Sequence, residues 1–383
     1  MNARWLSLNF FAYFFTWGIF LPYWTGWLTS VKGLSVFEAS LVMGAGMIAR
    51  ALSTLFLFPA AAHRLPLTKL MRISILLSLL IGLFYIPAHS LEALFAVTLA
   101  FNLVYPNLLP AMESGASVLI QSERINYGRS RAFGSLGYTV ALLVIGGLNA
   151  WFGNSAILWT MFAGLAVFYV AQLAGPPAVL SARAAESGEG RRGNAFRQLL
   201  GMRGFVTVLG ISILLQSAHA SYYNYGFIYL EDLGVASFAI GVILNVAVIA
   251  EIVFFAQADK WFGSMKSSNM FLIAAAGSTA RWLLIALVPA VWMFTLTQVL
   301  HAVSFGIAHY AFIRYISEKL PRGLLASAQG LYAALGMSLS TAFLTLLGGA
   351  LYGVSPNLSF LGMAMCTIPA GLLVLATRKR FSY

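Results

Sequence analysis

The chain has 383 residues, of which 60% are hydrophobic and only 9% are charged. A soluble domain carries about 25% charged residues, so a water-soluble fold of this length would lack the polar surface to cover itself. The 23 Lys and Arg against 11 Asp and Glu give a formal net charge of +12, but the cations are dispersed and form no aromatic-basic module, which excludes nucleic acid as a partner.

Apolar runs long enough to cross a hydrocarbon core as helices, about 20 residues each, are predicted at 6–28, 37–60, 71–89, 91–112, 133–150 and 156–174. The first is long, aromatic and without a small-residue cleavage site, so it is expected to remain as a span and not to be removed as a signal peptide. A polar stretch, 175–202, follows. It carries Ser-Gly-Glu-Gly and Arg183, Arg191, Arg192 and Arg197, which predicts a flexible basic linker. Six more runs come after it, at 206–229, 237–255, 269–288, 291–316, 326–352 and 358–376. The predicted organisation is an N-terminal six-helix half over 1–174, a linker over 175–202 and a C-terminal six-helix half over 203–383, an all-α membrane protein with twelve transmembrane helices.

Every second gap between these runs is basic, and only Lys32 falls in a gap of the opposite parity. Positive loops face the cytoplasm. Arg4 and Arg378-Lys379-Arg380 share the basic parity, so both termini are predicted to be cytoplasmic, in a bacterial-type inner membrane. The single cysteine, Cys366, lies in an apolar run, so neither a disulfide framework nor a thiolate metal site is expected. Neither a metal nor another cofactor is predicted.

Five ionisable residues lie inside or at the edge of predicted spans: Arg50, Glu113, Arg131, Glu251 and Arg281. Each charge at membrane depth costs at least ~2.5–3.5 kcal/mol, so such groups face the bundle interior and mark a polar pathway. Glu113 and Arg131 stand near span ends, where they either snorkel or meet substrate. Arg50 is either a fixed counter-charge or a substrate clamp. Glu251, between Val246–Ala250 and Ile252–Phe255, is read as a proton carrier, the alternative being a permanent ion pair with an arginine. Gln216, His219 and Tyr223 fall on one helical face, where they hydrogen-bond across helices or line a wet cavity. Tyr13 and Trp17 of the first span supply an aromatic counterpart. His301 and His309 share a stripe but lack a carboxylate or thiol to complete a metal site.

The run from Asn9 through Phe15 to Pro22 resembles the opening helix of the oligosaccharide and phenylpropionate permeases of the major facilitator superfamily. The segment 215–223, the pairs Ala49-Arg50 and Ala250-Glu251, and Ala280-Arg281-Trp282 are most similar to the 3-phenylpropionate transporter family. The two pairs stand at equivalent places in the halves, as parallel half-repeats of that architecture do, and substrate binds between such halves. The resemblance implies proton symport. Tyr127-Gly128-Arg129-Ser130-Arg131-Ala132-Phe133-Gly134 also resembles, more distantly, a motif of lactose permease. On that likeness Arg131 takes the place of a sugar-binding arginine, Glu113 its carboxylate partner and Tyr138 the stacking ring, while Arg281 and His301 resemble the proton-coupling pair. Ser304 stands where the permease has its coupling carboxylate, which leaves Glu251 to carry the proton. The acidic signature of the superfamily after the second span is replaced by Ala60-Ala61-Ala62-His63-Arg64, whereas Asp259 and Gly263 keep it after the eighth.

The expected activity is import of a small aromatic carboxylate of the 3-phenylpropionate or cinnamate type with protons. Arg50, Arg131 or Arg281 would clamp the carboxylate, and Tyr13, Trp17, Tyr138, Tyr222 and Tyr223, with His219, would wall the ring. A sugar or nucleoside symporter is the alternative. No nucleophile elbow, paired metal ligands or phosphate-cradling loop points to an enzyme. The expected partners are the small-molecule substrate, protons and membrane lipid, and the expected state is a monomer.

Overall fold

The computed structural model describes residues 2–123, 127–181, 189–321, 324–381 and 383, and among these it is helical throughout with no strand. A chain in lipid must satisfy its backbone groups internally, and helices do so within one segment. Two compact units result: residues 1–187 with 236–242, and residues 188–235 with 243–383. Arg183 of the basic stretch lies outside the described residues.

In the first unit the long helices are α1 (Asn2–Ser30), α2 (Val36–Ala62), α3 (Leu67–Leu83), α4 (Leu91–Leu119), α5 (Tyr127–Phe152) and α6 (Ala156–Leu173). The second contains a short amphipathic helix, α7 (Glu189–Gly201), then α8 (Arg203–Asp232), α9 (Ser237–Phe262, of which residues 237–242 belong to the first unit), α10 (Ser267–Leu287), α11 (Val291–Lys319), α12 (Leu325–Val354) and α13 (Pro356–Phe381). Among the described residues eleven of these are long and apolar enough to span a membrane. The third predicted span is the exception: α3 has 17 residues and ends in turns at 84–87. Pro87 explains the stop, because its ring disfavours the helical conformation at Ile86.

Local chemistry sets the ends. Ser35 and Glu38 form a reciprocal capping box at the start of α2, satisfying two orphan donors of the first turn. Gly234, with φ of +76°, closes α8: Val235 N donates to Leu230 O at 3.0 Å and Gly234 N to Glu231 O at 2.8 Å. This 6→1 and 5→2 pairing requires a left-handed residue after the helix. Lys32, the lone cation of its parity, donates to Ile86 O at 3.1 Å and lies over Trp27. Partial burial there lowers its pKa.

Three helices change pitch next to polar groups. Residues Ser53–Leu57 of α2, Ala302–Ile307 of α11 and Tyr332–Leu339 of α12 are π-helical, a distortion found mostly at functional sites. Two more helices break: α8 turns at Ala218 and His219, and α4 tightens at Tyr105–Asn107. Pro106 causes the second break, since it cannot donate to the carbonyl one turn earlier.

Candidate functional site

In the first unit, α1 presents Tyr13 and Trp17 one turn apart, with their rings nearly parallel at 6.3 Å. Tyr105, turned inward by the Pro106 break, stacks on both, at 5.5 Å and 6.3 Å. Its hydroxyl pairs with Thr16 Oγ1 at 2.7 Å. Arg50 of α2 sets its guanidinium 4.5 Å from the Trp17 ring centre. Among the described residues no carboxylate forms an ion pair with Arg50. A cation over an aromatic face gains ~0.5–2 kcal/mol, which offsets part of the cost of holding it at this depth.

Arg131 of α5 is differently placed. It lies 4.1 Å over Phe14 and 5.6 Å over Phe10, and its Nε is 3.7 Å from Glu113 Oε1 of α4. Tyr127 donates to the other carboxylate oxygen at 2.7 Å. Both partners of the ion pair are about a third exposed, so it adds little stability, but it neutralises Arg131. Tyr138, two turns along α5, packs against Gly18 of α1. Phe14 meets Tyr13 edge to face at 5.2 Å, so one aromatic row on α1 runs from Arg131 to Arg50. A cavity of about 750 Å³ among α1, α5 and α6 is lined without a single charged residue and is therefore not the polar site.

The second unit gathers the remaining residues into one network, buried except towards Glu251, whose side chain is 24% exposed. Glu251 Oε1 of α9 is 2.6 Å from His301 Nε2 of α11. His301 Nδ1 is 2.6 Å from Arg281 Nη1 of α10. The same Nη1 donates to Ser304 Oγ at 3.2 Å, and Nη2 donates to Gln298 Oε1 at 3.4 Å. Ser304 Oγ is 3.0 Å from His219 Nε2 of α8, and His219 Nδ1 is 3.1 Å from Leu215 O. Partner chemistry assigns the protons. Arg281 can only donate, so His301 Nδ1 accepts and its Nε2–H donates to the Glu251 carboxylate. Leu215 O can only accept, so His219 carries its proton on Nδ1 and takes the Ser304 hydroxyl proton at Nε2.

Arg281 is fully buried. Its guanidinium also lies 4.5 Å from Tyr222 and 4.6 Å from Trp282. Its Nε is the one guanidinium nitrogen with no hydrogen-bond partner among the described residues. Hydrogen bonds to a charged group are worth about 1.5–3 kcal/mol each, enough for three of them to meet the ~2.5–3.5 kcal/mol cost of the charge. Tyr223 stacks on His219 at 5.8 Å, and Tyr222 meets His301 at 5.3 Å.

Arg50, Tyr13 and Trp17 thus come together, as do Arg131 and Glu113, and as do Glu251, Arg281, His301, His219, Tyr222 and Tyr223. Tyr105 and Gln298 escaped the sequence reading. The Tyr-Pro pair inside an apolar run was the available signal for Tyr105; Gln298, one polar residue in a long span, offered none. Ser304, conspicuous only as a missing carboxylate, joins Arg281 to His219.

A helical membrane chain with charged and aromatic groups turned inward is the architecture of a solute carrier, and the chain matches the MFS_1 like family over residues 3–361. It belongs to that family and is a multi-pass membrane transporter. It is 30% identical over 372 residues to a probable 3-phenylpropionic acid transporter of Escherichia coli (strain K12), covering 97% of each chain. It is 27% identical to a maltose permease of Geobacillus stearothermophilus, covering 97% of this chain and 94% of that one. Among solved structures, the nucleoside transporter NupG superposes over the whole of both chains with a TM-score of 0.84 at 16% identity. A POT family transporter bound to a thioalcohol-conjugated peptide gives 0.77 at 12% identity, covering 100% of this chain and 96% of that one. At these identities the solved structures share the fold.

Proposed function

We propose that the protein imports a small aromatic carboxylate of the 3-phenylpropionate or cinnamate type across the inner membrane with a proton, by alternating access, with both termini in the cytoplasm. The observation that carries this reading is the state of the three arginines. Arg131 is neutralised by Glu113, and Arg281 is engaged by His301, Ser304 and Gln298. Arg50 keeps its charge beside stacked Tyr13, Trp17 and Tyr105, a combination suited to a carboxylate joined to a ring. The relative described as a probable 3-phenylpropionic acid transporter supports the same substrate class.

Proton coupling falls to the Glu251–His301–Arg281 chain. Protonating Glu251 removes the charge that receives the His301 Nε2–H. Protonating His301 Nδ1 instead displaces the Arg281 N–H, so proton and arginine compete for one nitrogen. A carrier with a substrate anion and a titratable carboxylate can load both from outside and release both inside.

A second reading, a sugar or nucleoside symporter, rests on the Arg131–Glu113 pair, since a carboxylate in the site suits hydroxyl groups, and on the maltose permease relative. Uptake of labelled 3-phenylpropionate into proteoliposomes with an imposed inward proton gradient separates the two. The first reading expects accumulation that Glu251→Gln abolishes and Glu113→Gln leaves largely intact. Accumulation of a disaccharide or nucleoside alone, lost in Glu113→Gln, would refute it.

A further inference from the structure

α11 carries three rings in a line. His301 and Phe305 face each other at 5.4 Å and 10°, and Phe305 and His309 at 5.8 Å and 6°. In a regular α-helix each four-residue step overshoots a full turn by about 40°, so such rings would splay around the axis. Residues Ala302–Ile307 are π-helical, and the wider turn takes up that drift. The distortion brings His301 and His309 onto one axial line.

The line runs from the buried coupling network toward the end of the unit that carries Lys260, Lys266 and Lys319. His309 Nδ1 lies 3.1 Å from the Tyr332 hydroxyl, in the π-helical part of α12. On the next residue, Tyr310 donates to the exposed Asp259 of α9 at 2.5 Å. The facing helix keeps the same spacing: Glu251, Phe255 and Asp259 follow at four-residue steps, and Phe255 meets the edge of His309 at 6.1 Å. The ionisable groups about His309 are therefore Tyr332 from α12, Glu251 and Asp259 from α9, and Tyr310 and Arg314 on α11, the last held by Glu318 at 2.6 Å.

We infer that His309 relays the transported proton between the Glu251–His301 pair and the Asp259 end of the unit. This rests on the proton-symport reading. In the step, the O–H bond of protonated Glu251 breaks and an N–H bond forms at His309 Nε2, leaving a carboxylate and an imidazolium whose Nδ1–H donates to Tyr332 Oη. The imidazolium then yields its Nε2 proton to water at the Asp259 end. Two helical turns, about 11 Å, separate the imidazoles, so water carries the proton past the ring of Phe305. One proton enters and one leaves, with no change of oxidation state.

The test compares wild type, His309→Gln and Tyr332→Phe in proteoliposomes, using labelled 3-phenylpropionate in two assays. Equilibrium exchange, with equal substrate on both sides, needs no net proton movement; gradient-driven accumulation does. His309→Gln is expected to keep exchange near the wild-type rate and to slow accumulation on the order of 10²-fold, the scale of a lost proton-transfer group. Raising internal and external pH together through the histidine range, at a fixed gradient, is expected to change the wild-type rate more than that of the variant, which keeps Glu251 and His301 but lacks the imidazole of His309. Tyr332→Phe, which loses only the hydroxyl, is expected to fall between. Unchanged accumulation in His309→Gln overturns the relay, and so does equal loss of exchange and accumulation, which would make His309 structural. Exchange without gradient-driven accumulation in the wild type would overturn the symport reading itself, and the relay with it.

Discussion

Replacing Ser304 with alanine tests the hydrogen-bond assignment of the second unit most directly. The hydroxyl is fully buried, takes an N–H from Arg281 at 3.2 Å and gives its proton to His219 at 3.0 Å. Without it, His219 Nε2 loses its donor and one Arg281 hydrogen loses its acceptor. Each orphaned buried group costs about 1–3 kcal/mol, so the sum is about 2–6 kcal/mol, while the volume removed is one oxygen atom. Ser212 provides the contrast: it is equally buried, and its hydroxyl has no hydrogen-bond partner among the described residues. Ser212→Ala is therefore expected to stay within about 0.5 kcal/mol of wild type. Denaturant unfolding of the purified protein in mixed micelles, followed by helical circular dichroism, measures both. Equal stability of the two variants would refute the network, including the tautomers assigned to His219 and His301.

Trp17→Leu removes the ring beneath Arg50 and the ~0.5–2 kcal/mol of that contact, so the dissociation constant for 3-phenylpropionate is expected to rise about 2- to 30-fold by calorimetry; an unchanged constant would remove Arg50 from the site. Gly137→Ala drives a Cβ into the Phe11 backbone where α1 and α5 touch, whereas an added Cβ at Gly147 of the same helix meets nothing within 4 Å. Thermal scanning should find the first variant destabilised by at least ~1–3 kcal/mol and the second neutral or stabilised by up to ~1 kcal/mol, and matched values would contradict the close packing.

Much of the fold was legible before any coordinates, because membrane insertion is decided by properties that each segment carries alone. Apolar length and the scarcity of charge act on one segment at a time, so the spans could be read in order. The shortfall at α3 had its signal as well, in Pro87. The buried ionisable residues were legible for the same reason: a charge in an apolar run is costly wherever the run packs, so Arg50, Glu251, Arg281 and His301 stood out without knowledge of their neighbours.

Their partners were not legible, because pairing depends on which helices touch and at what height. Sequence could offer three arginines as equivalent clamps. The packing of both α4 and α5 on α1 lets Glu113 reach Arg131, the packing of α10 on α11 gives Arg281 to His301 and Ser304, and α2 leaves Arg50 over Trp17. Tyr105 enters the aromatic stack only through a break in α4, and His309 lines up with His301 only through the π-helical turns between them. Sequence alone therefore determined that charges lie within the membrane and where along each helix they fall. Tertiary structure decided which of them are neutralised, since a hydrogen bond or ion pair forms over about 3–4 Å between residues that can be a hundred positions apart in the chain.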